Sequence, residues 1–183
     1  MANNKSMVPK LLSQEPFQPS LASAPLTMLL PDALATQRAG FCLGAALLDS
    51  QFPPIVITLR GELGAGKTTF CQGFGQALGV ASGEIKSPTF SLAHEHQGKI
   101  AFSHLDLYRL ENNPQAQFLE AGLDEYLAQT CLVEWPERLP DSFWPLTRLD
   151  LAFTVTGAER ILTGRGVEPW TRKLWLQTTQ LYY

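Results

Sequence analysis

Charge is scarce in this chain and long apolar runs are absent. Of its 183 residues only 17% are Asp, Glu, Lys or Arg, against 45% hydrophobic, a balance that excludes a charge-swollen disordered polypeptide. The formal charge is −3, the opposite of the basic field that marks a general nucleic-acid binder. No stretch approaches the roughly 18 consecutive apolar residues of a membrane span. The longest, FCLGAALL at 41–48, fits inside an amphipathic helix. Cysteine is nearly as scarce. Cys42, Cys71 and Cys131 are odd in number and match no zinc spacing, which predicts three buried, reduced thiols in a cytoplasmic protein. The first 25 residues contain no compact apolar core of the secretory kind. Rich in Ser, Pro and amides, they read as a disordered extension ahead of one domain over 26–183.

The charge that is present is uneven. From His104 to Asp141 there are eight acids and two arginines; from Arg148 onward there are five bases and three acids. Most of this is expected to be solvated surface. The acidic stretch suits a protein partner, and the basic tail leaves only a weak RNA contact open.

Apolar periodicity and turn residues order the chain. Residues 27–31, TMLLP, read as a short extended segment. Asp32 then caps a helix through ALATQRAGFCLGAALL, stopped by Pro53 and Pro54. Ile55–Leu59 is a near-continuous apolar run, interrupted only by Thr58, as in a strand buried on both faces. A glycine loop follows, then a helix from Lys67 to about Leu78, ended by Gly79. Phe90–His96 and Lys99–Tyr108 read as strands joined by a tight Gln97-Gly98 turn. Helical pieces are predicted over 114–121 and 123–129. Cys131–Trp135 reads as another buried strand, and Leu149–Thr156 with Arg160–Thr163 as a hairpin turning at Gly157. A last helix is predicted over Glu168–Thr178. Interleaved strands and helices make this an α/β layered domain.

The loop itself, GELGAGKT, satisfies G-x-x-x-x-G-K-[ST] through Gly61, Gly66, Lys67 and Thr68. Chance gives this pattern in roughly one chain of this length in two hundred at average glycine usage, and the strand before and helix after strengthen it. Gly61, Gly64 and Gly66 permit a tight loop with inward-facing N–H groups, and the helix start offers unpaired amides to an anion. Gly61, Glu62, Leu63, Gly64, Ala65 and Gly66, with Lys67, Thr68 and Thr69, therefore form the expected nucleotide-binding segment. Lys67 reaches the β- and γ-phosphates, Thr68 offers a hydroxyl to Mg²⁺, and Thr69 can hold the α-phosphate. The fold class expected is thus a P-loop NTPase-like layered domain with a mixed, largely parallel central sheet and β-hairpin additions.

Such a site needs an acid, and two lie at strand ends: Glu134 in TCLVEW and Asp106 in FSHLDLYR. On the second strand His104, Asp106 and Tyr108 share one face and Leu105 and Leu107 the other. Ser87 and Thr89 of KSPTF lie between the P-loop helix and this strand, where a hydroxyl can sense the γ-phosphate. His94, His96 and His104 give little support to zinc, and surface or half-buried positions suit them better. Trp135 is either core or a reporter beside the acid.

GELGAGKTT, KSPTF, HLDLYRL and LVEWPERLP, in this order, resemble the bacterial TsaE (YjeE) family over roughly residues 28–165. The resemblance implies an ATPase that uses ATP and Mg²⁺, binds the TsaD–TsaB pair and supports N6-threonylcarbamoyladenosine formation next to the tRNA anticodon, with tRNA contacted indirectly. It implies Lys67 as the phosphate lysine, Thr68 and Glu134 as Mg²⁺ ligands, residues 87–89 as a switch loop, and Asp106 beside the attacking water. The rival reading is a small-molecule kinase, for which Arg160, Arg165 and Arg172 form no recognisable lid. A non-catalytic ATP-binding module is a second. A GTPase is disfavoured, since no Asn-Lys-x-Asp motif occurs.

Overall fold

The computed structural model describes residues 26–49 and 52–183; the predicted N-terminal extension lies outside them. Seven strands form one sheet in the order β1-β7-β6-β2-β5-β4-β3. Its centre is β6 (Arg148–Thr156), β2 (Val56–Arg60), β5 (Cys131–Glu134) and β4 (Phe102–Asp106), all parallel. The edges are antiparallel: β3 (Ala93–His96) on β4, and β7 (Glu159–Gly166) between β6 and β1 (Leu26–Leu30). The sheet is therefore mixed, parallel where it is most buried, with hairpin additions at both ends.

Strand alternation assigns the faces. Ile57 and Leu59 of β2, Leu132 of β5 and Phe102 of β4 join one core, together with α1 (Ala33–Leu48), α2 (Lys67–Ala77) and α4 (Pro169–Tyr182). Val56, Leu105, Cys131 and Val133 turn to the other face, against Phe118 of α3 (Pro114–Glu120) and Leu139 and Trp144. Helix α1 begins as the sequence predicts, with Asp32 Oδ1 accepting from the Ala35 amide at 2.7 Å. It ends at Leu48, before Pro53 and Pro54 are reached.

Several boundaries differ from the sequence reading. β3 and β4 are linked through residues 97–101 rather than by a tight Gln97-Gly98 turn, because the Lys99 amide donates to the Leu78 carbonyl at 2.7 Å and draws the connection onto the end of α2. The helical piece expected over 123–129 is a 3₁₀ helix over Leu123–Ala128, entered through Gly122 in left-handed conformation. α4 runs to Tyr182, four residues past the expected end, because its last turn is anchored: Tyr182 Oη donates to the Leu29 carbonyl at 2.9 Å. All three cysteines are buried and free. The basic tail is partly spent internally. Arg148 is buried and bonds Asp141, Asp150 and the Trp144 and Pro145 carbonyls.

Helices α1 and α2 touch backbone to backbone at Gly73, where a Cβ would overlap the Gln37 carbonyl group and stand 3.0 Å from the Phe41 nitrogen. Helix propensity favours alanine over glycine by about 1 kcal/mol, but overlap with rigid backbone costs about 1–3 kcal/mol and cannot relax by a rotamer change. Gly73→Ala is expected to lower stability by about 1 kcal/mol once the propensity gain is set against the overlap, read as a fall in melting temperature of roughly 2–4 °C. An unchanged melting curve would show that the helices part easily.

Candidate nucleotide and metal site

Three adjacent parallel strands end at one level. β2 runs into the glycine loop, and in the ladder Leu59 and Asp106 both stand opposite Glu134. The carboxyl ends of parallel strands are where open α/β sheets bind ligands. Here they line a cavity of about 460 Å³ that brings together Leu63–Thr69, Ser87, Thr89, Asp106, Tyr108, Glu134 and Trp135. A cavity of about 450 Å³ elsewhere, walled by Glu95, Glu125 and Tyr126 among others, offers no comparable phosphate donors.

The loop closes with an Ala65 amide bond to the Glu62 carbonyl at 3.1 Å. Gly66 caps α2 at φ +104°, a conformation that strains any residue with a Cβ, and no side chain caps the helix. The first amides of α2 thus remain available to an anion, at the positive end of the helix dipole. Lys67 is buried. Its Nζ donates to the Gly61 carbonyl at 2.6 Å and the Glu62 carbonyl at 3.0 Å, and lies 3.9 Å from the Trp135 ring centroid. Burial pushes the ammonium's pKa down, while Glu134, Glu137 and Asp106 pull it back up. Trp135 itself holds φ +61°, a left-handed backbone at a bulky residue, and its ring packs 4.9 Å from Tyr108. Strained backbone of this kind concentrates at functional sites.

The two acids have separate surroundings. Thr68 Oγ1 donates to Glu134 Oε1 at 2.8 Å, and His104 Nε2 lies 3.0 Å from the same oxygen. Asp106 is buried rather than at a solvent-facing strand edge. Its Oδ2 accepts from Ser87 and from Thr89, the latter at 2.6 Å, and its Oδ1 accepts from the Tyr108 amide at 3.0 Å. Asp106 therefore ties the 87–89 loop to β4. Thr68 and Glu134 form a hard oxygen pair at the cavity wall, a donor set that fits Mg²⁺.

Of the residues expected from the sequence, Leu63–Thr69, Asp106 and Glu134 line one cavity, with Ser87 and Thr89, whereas Gly61 and Glu62 do not line it and instead bond Lys67 through their carbonyls. His94 and His96 stand apart from it. The one group of metal-capable side chains among the described residues is Cys71, His104 and Glu134, whose donor atoms lie within 4.8 Å of one another. Burial raises the Cys71 thiol well above its usual pKa, which leaves the sulfur protonated and a poor ligand. His104, expected at a surface or half-buried position, is fully buried. The sequence placed it on the Asp106 face of β4 but not whether that face is buried. The Lys67–Trp135 contact has no sequence signature, since it depends on the left-handed turn at Trp135.

A family model described as "Threonylcarbamoyl adenosine biosynthesis protein TsaE" matches residues 30–162. The tRNA threonylcarbamoyladenosine biosynthesis protein TsaE of Synechocystis sp. is 44% identical over 122 residues, 63% of this chain and 73% of that protein. The protein of the same name from Bacillus subtilis is 39% identical over 108 residues, 57% of this chain and 65% of that one. The crystal structure of Bacillus subtilis YdiB superposes with a TM-score of 0.64 at 30% identity, covering 85% of this chain and 95% of that chain.

A phosphate at the start of α2 would compete with the Gly61 and Glu62 carbonyls for the same ammonium protons. A nucleotide that draws Lys67 off the indole is expected to change tryptophan emission, and Trp135→Phe is expected to abolish the change while the other three tryptophans remain. A signal that survives in the variant would mean that Trp135 does not sense the lysine.

Proposed function

The chain belongs to the threonylcarbamoyl adenosine biosynthesis protein TsaE family, and on that premise we propose that it is a Mg²⁺-dependent ATPase that binds the TsaD–TsaB pair and supports N6-threonylcarbamoyladenosine formation in tRNA. The observation that carries this reading is the Thr68–Glu134 hydrogen bond at the start of an uncapped helix, next to Lys67. It sets a hard oxygen pair beside the place where α2 and Lys67 would receive the β- and γ-phosphates.

Each residue has a separate task in this reading. The loop amides and the first turn of α2 bind the phosphates. Lys67 leaves its carbonyls and bridges the β- and γ-oxygens. Thr68 and Glu134 hold Mg²⁺, whose contribution is to offset charge growing between those phosphates. Ser87 and Thr89 respond to the γ-phosphate, and Asp106, released from their hydroxyls, orients the attacking water. No arginine lines the cavity among the described residues, and this favours slow hydrolysis until a partner supplies the missing stabilisation. Glu111, Glu120, Asp124 and Glu125 are exposed, a surface suited to a protein partner rather than to direct tRNA contact. The absence of any helix among the described residues long and apolar enough to cross a membrane is compatible with work in the cytoplasm.

Phosphate release from ATP, alone and with the TsaD–TsaB pair, tests the reading. Slow release that rises with the pair is expected, and Lys67→Ala is expected to reduce it by about 100-fold, as for loss of one oriented transition-state donor. Asp106→Asn is expected to cost on the order of 100-fold in turnover with little change in nucleotide affinity. Release indifferent to the pair, but stimulated by a small metabolite that becomes phosphorylated, would make the protein a kinase instead.

A further inference from the structure

His104 is wholly buried on β4 and has no part in the steps above. Its Nε2 lies 3.0 Å from Glu134 Oε1. A carboxylate only accepts, so Nε2 is the donor and carries the ring proton. Nδ1 is buried with no hydrogen-bond partner. Leucine would fill the same space without an orphaned nitrogen, so packing alone is a poor reason for an imidazole here.

The bond made by Nε2 explains it better. Thr68 Oγ1 donates to the same Glu134 oxygen at 2.8 Å, so two donors from two different elements converge on Oε1. Among the described residues no hydrogen bond reaches Oε2, and Glu134 lines the cavity. One donor would leave the carboxylate free to swing about a single bond, and Thr68 must also turn its oxygen toward a bound cation. A second donor on the neighbouring strand removes that freedom. His104 stands opposite Leu132 in the β4–β5 ladder, two residues before the Asp106–Glu134 pair, so its position relative to Glu134 is set by a rigid parallel register.

We propose that His104 is a positioning residue for the divalent cation: its Nε2–H fixes Oε1 of Glu134 and thereby presents Oε2 to the metal beside Thr68. Groups that orient metal ligands in this way commonly change metal affinity by about 10–100-fold when removed. The inference rests on the Mg²⁺-dependent ATPase reading.

The test is the Mg²⁺ midpoint for binding a non-hydrolysable ATP analogue, with binding in EDTA and thermal unfolding measured beside it. His104→Leu removes the donor and its orphaned partner. His104→Asn keeps an amide that falls short of Oε1, and His104→Gln carries an amide that reaches it. The leucine and asparagine variants are expected to raise the Mg²⁺ midpoint about 10-fold or more, with EDTA binding unchanged, and the glutamine variant to recover most of the loss. The leucine variant is expected to melt no lower than the parent protein. A midpoint unmoved in both the leucine and asparagine variants would overturn the proposal. So would an equal loss in EDTA, or a glutamine variant as impaired as asparagine. If the parent protein binds the analogue with no dependence on Mg²⁺, the ATPase reading falls first, which separates the two failures.

Discussion

The parallel register of β2, β5 and β4 is the constraint on which the site depends. Leu59 and Asp106 both stand opposite Glu134, so the glycine loop, Glu134 and the loop-tethering acid leave the sheet at one height. Parallel strands cannot be joined by tight turns, and α2 with the residues after it spans the distance from β2 to the strands beside it. A one-residue slip of β5 would point Glu134 to the opposite face, away from α2 and into the apolar cluster around Val133. The apolar content of these strands therefore does more than fill the interior. It fixes which face each acid occupies.

Around that ladder the two sides of the sheet differ in character. On one side, α1 and α2 meet through backbone contact at Gly73, and α4 closes the far end with Tyr182 and Trp175 bonded to β1 carbonyls. On the other, short helical turns and aromatic pairs such as Phe118 with Phe143 cover the strands. All the polar machinery faces the first side, because Phe102, His104 and Asp106 alternate with Ser103 and Leu105 along β4. The rigid helix pair thus backs the glycine loop.

Local chemistry was legible in the sequence wherever it depends on neighbours along the chain. The Asp32 cap, the apolar β2 strand, the glycine loop and the start of α2 all follow from adjacent residues, and the two acids could be named from their places at strand ends. Burial of His104 was not legible, because a histidine on a short hairpin strand looks the same whether its face meets solvent or another helix. The Gln97-Gly98 turn failed for a related reason: a tertiary bond from Lys99 to Leu78 overrode the turn chemistry. The convergence of Ser87 and Thr89 on Asp106 joins residues 17 or more apart in the chain, and only the closed sheet brings them together. The length of α4 was set by tyrosine anchors on β1, a contact across nearly the whole sequence.

The pair of carbonyl bonds to Lys67 bears on how the chain matures. A buried ammonium with no counter-group would oppose folding until a ligand arrived, and the folded population would then follow the ligand's concentration. Here the Gly61 and Glu62 carbonyls and the Trp135 ring supply partners from the chain itself. The loop's own backbone satisfies the ammonium, so its burial does not by itself make folding wait on a ligand.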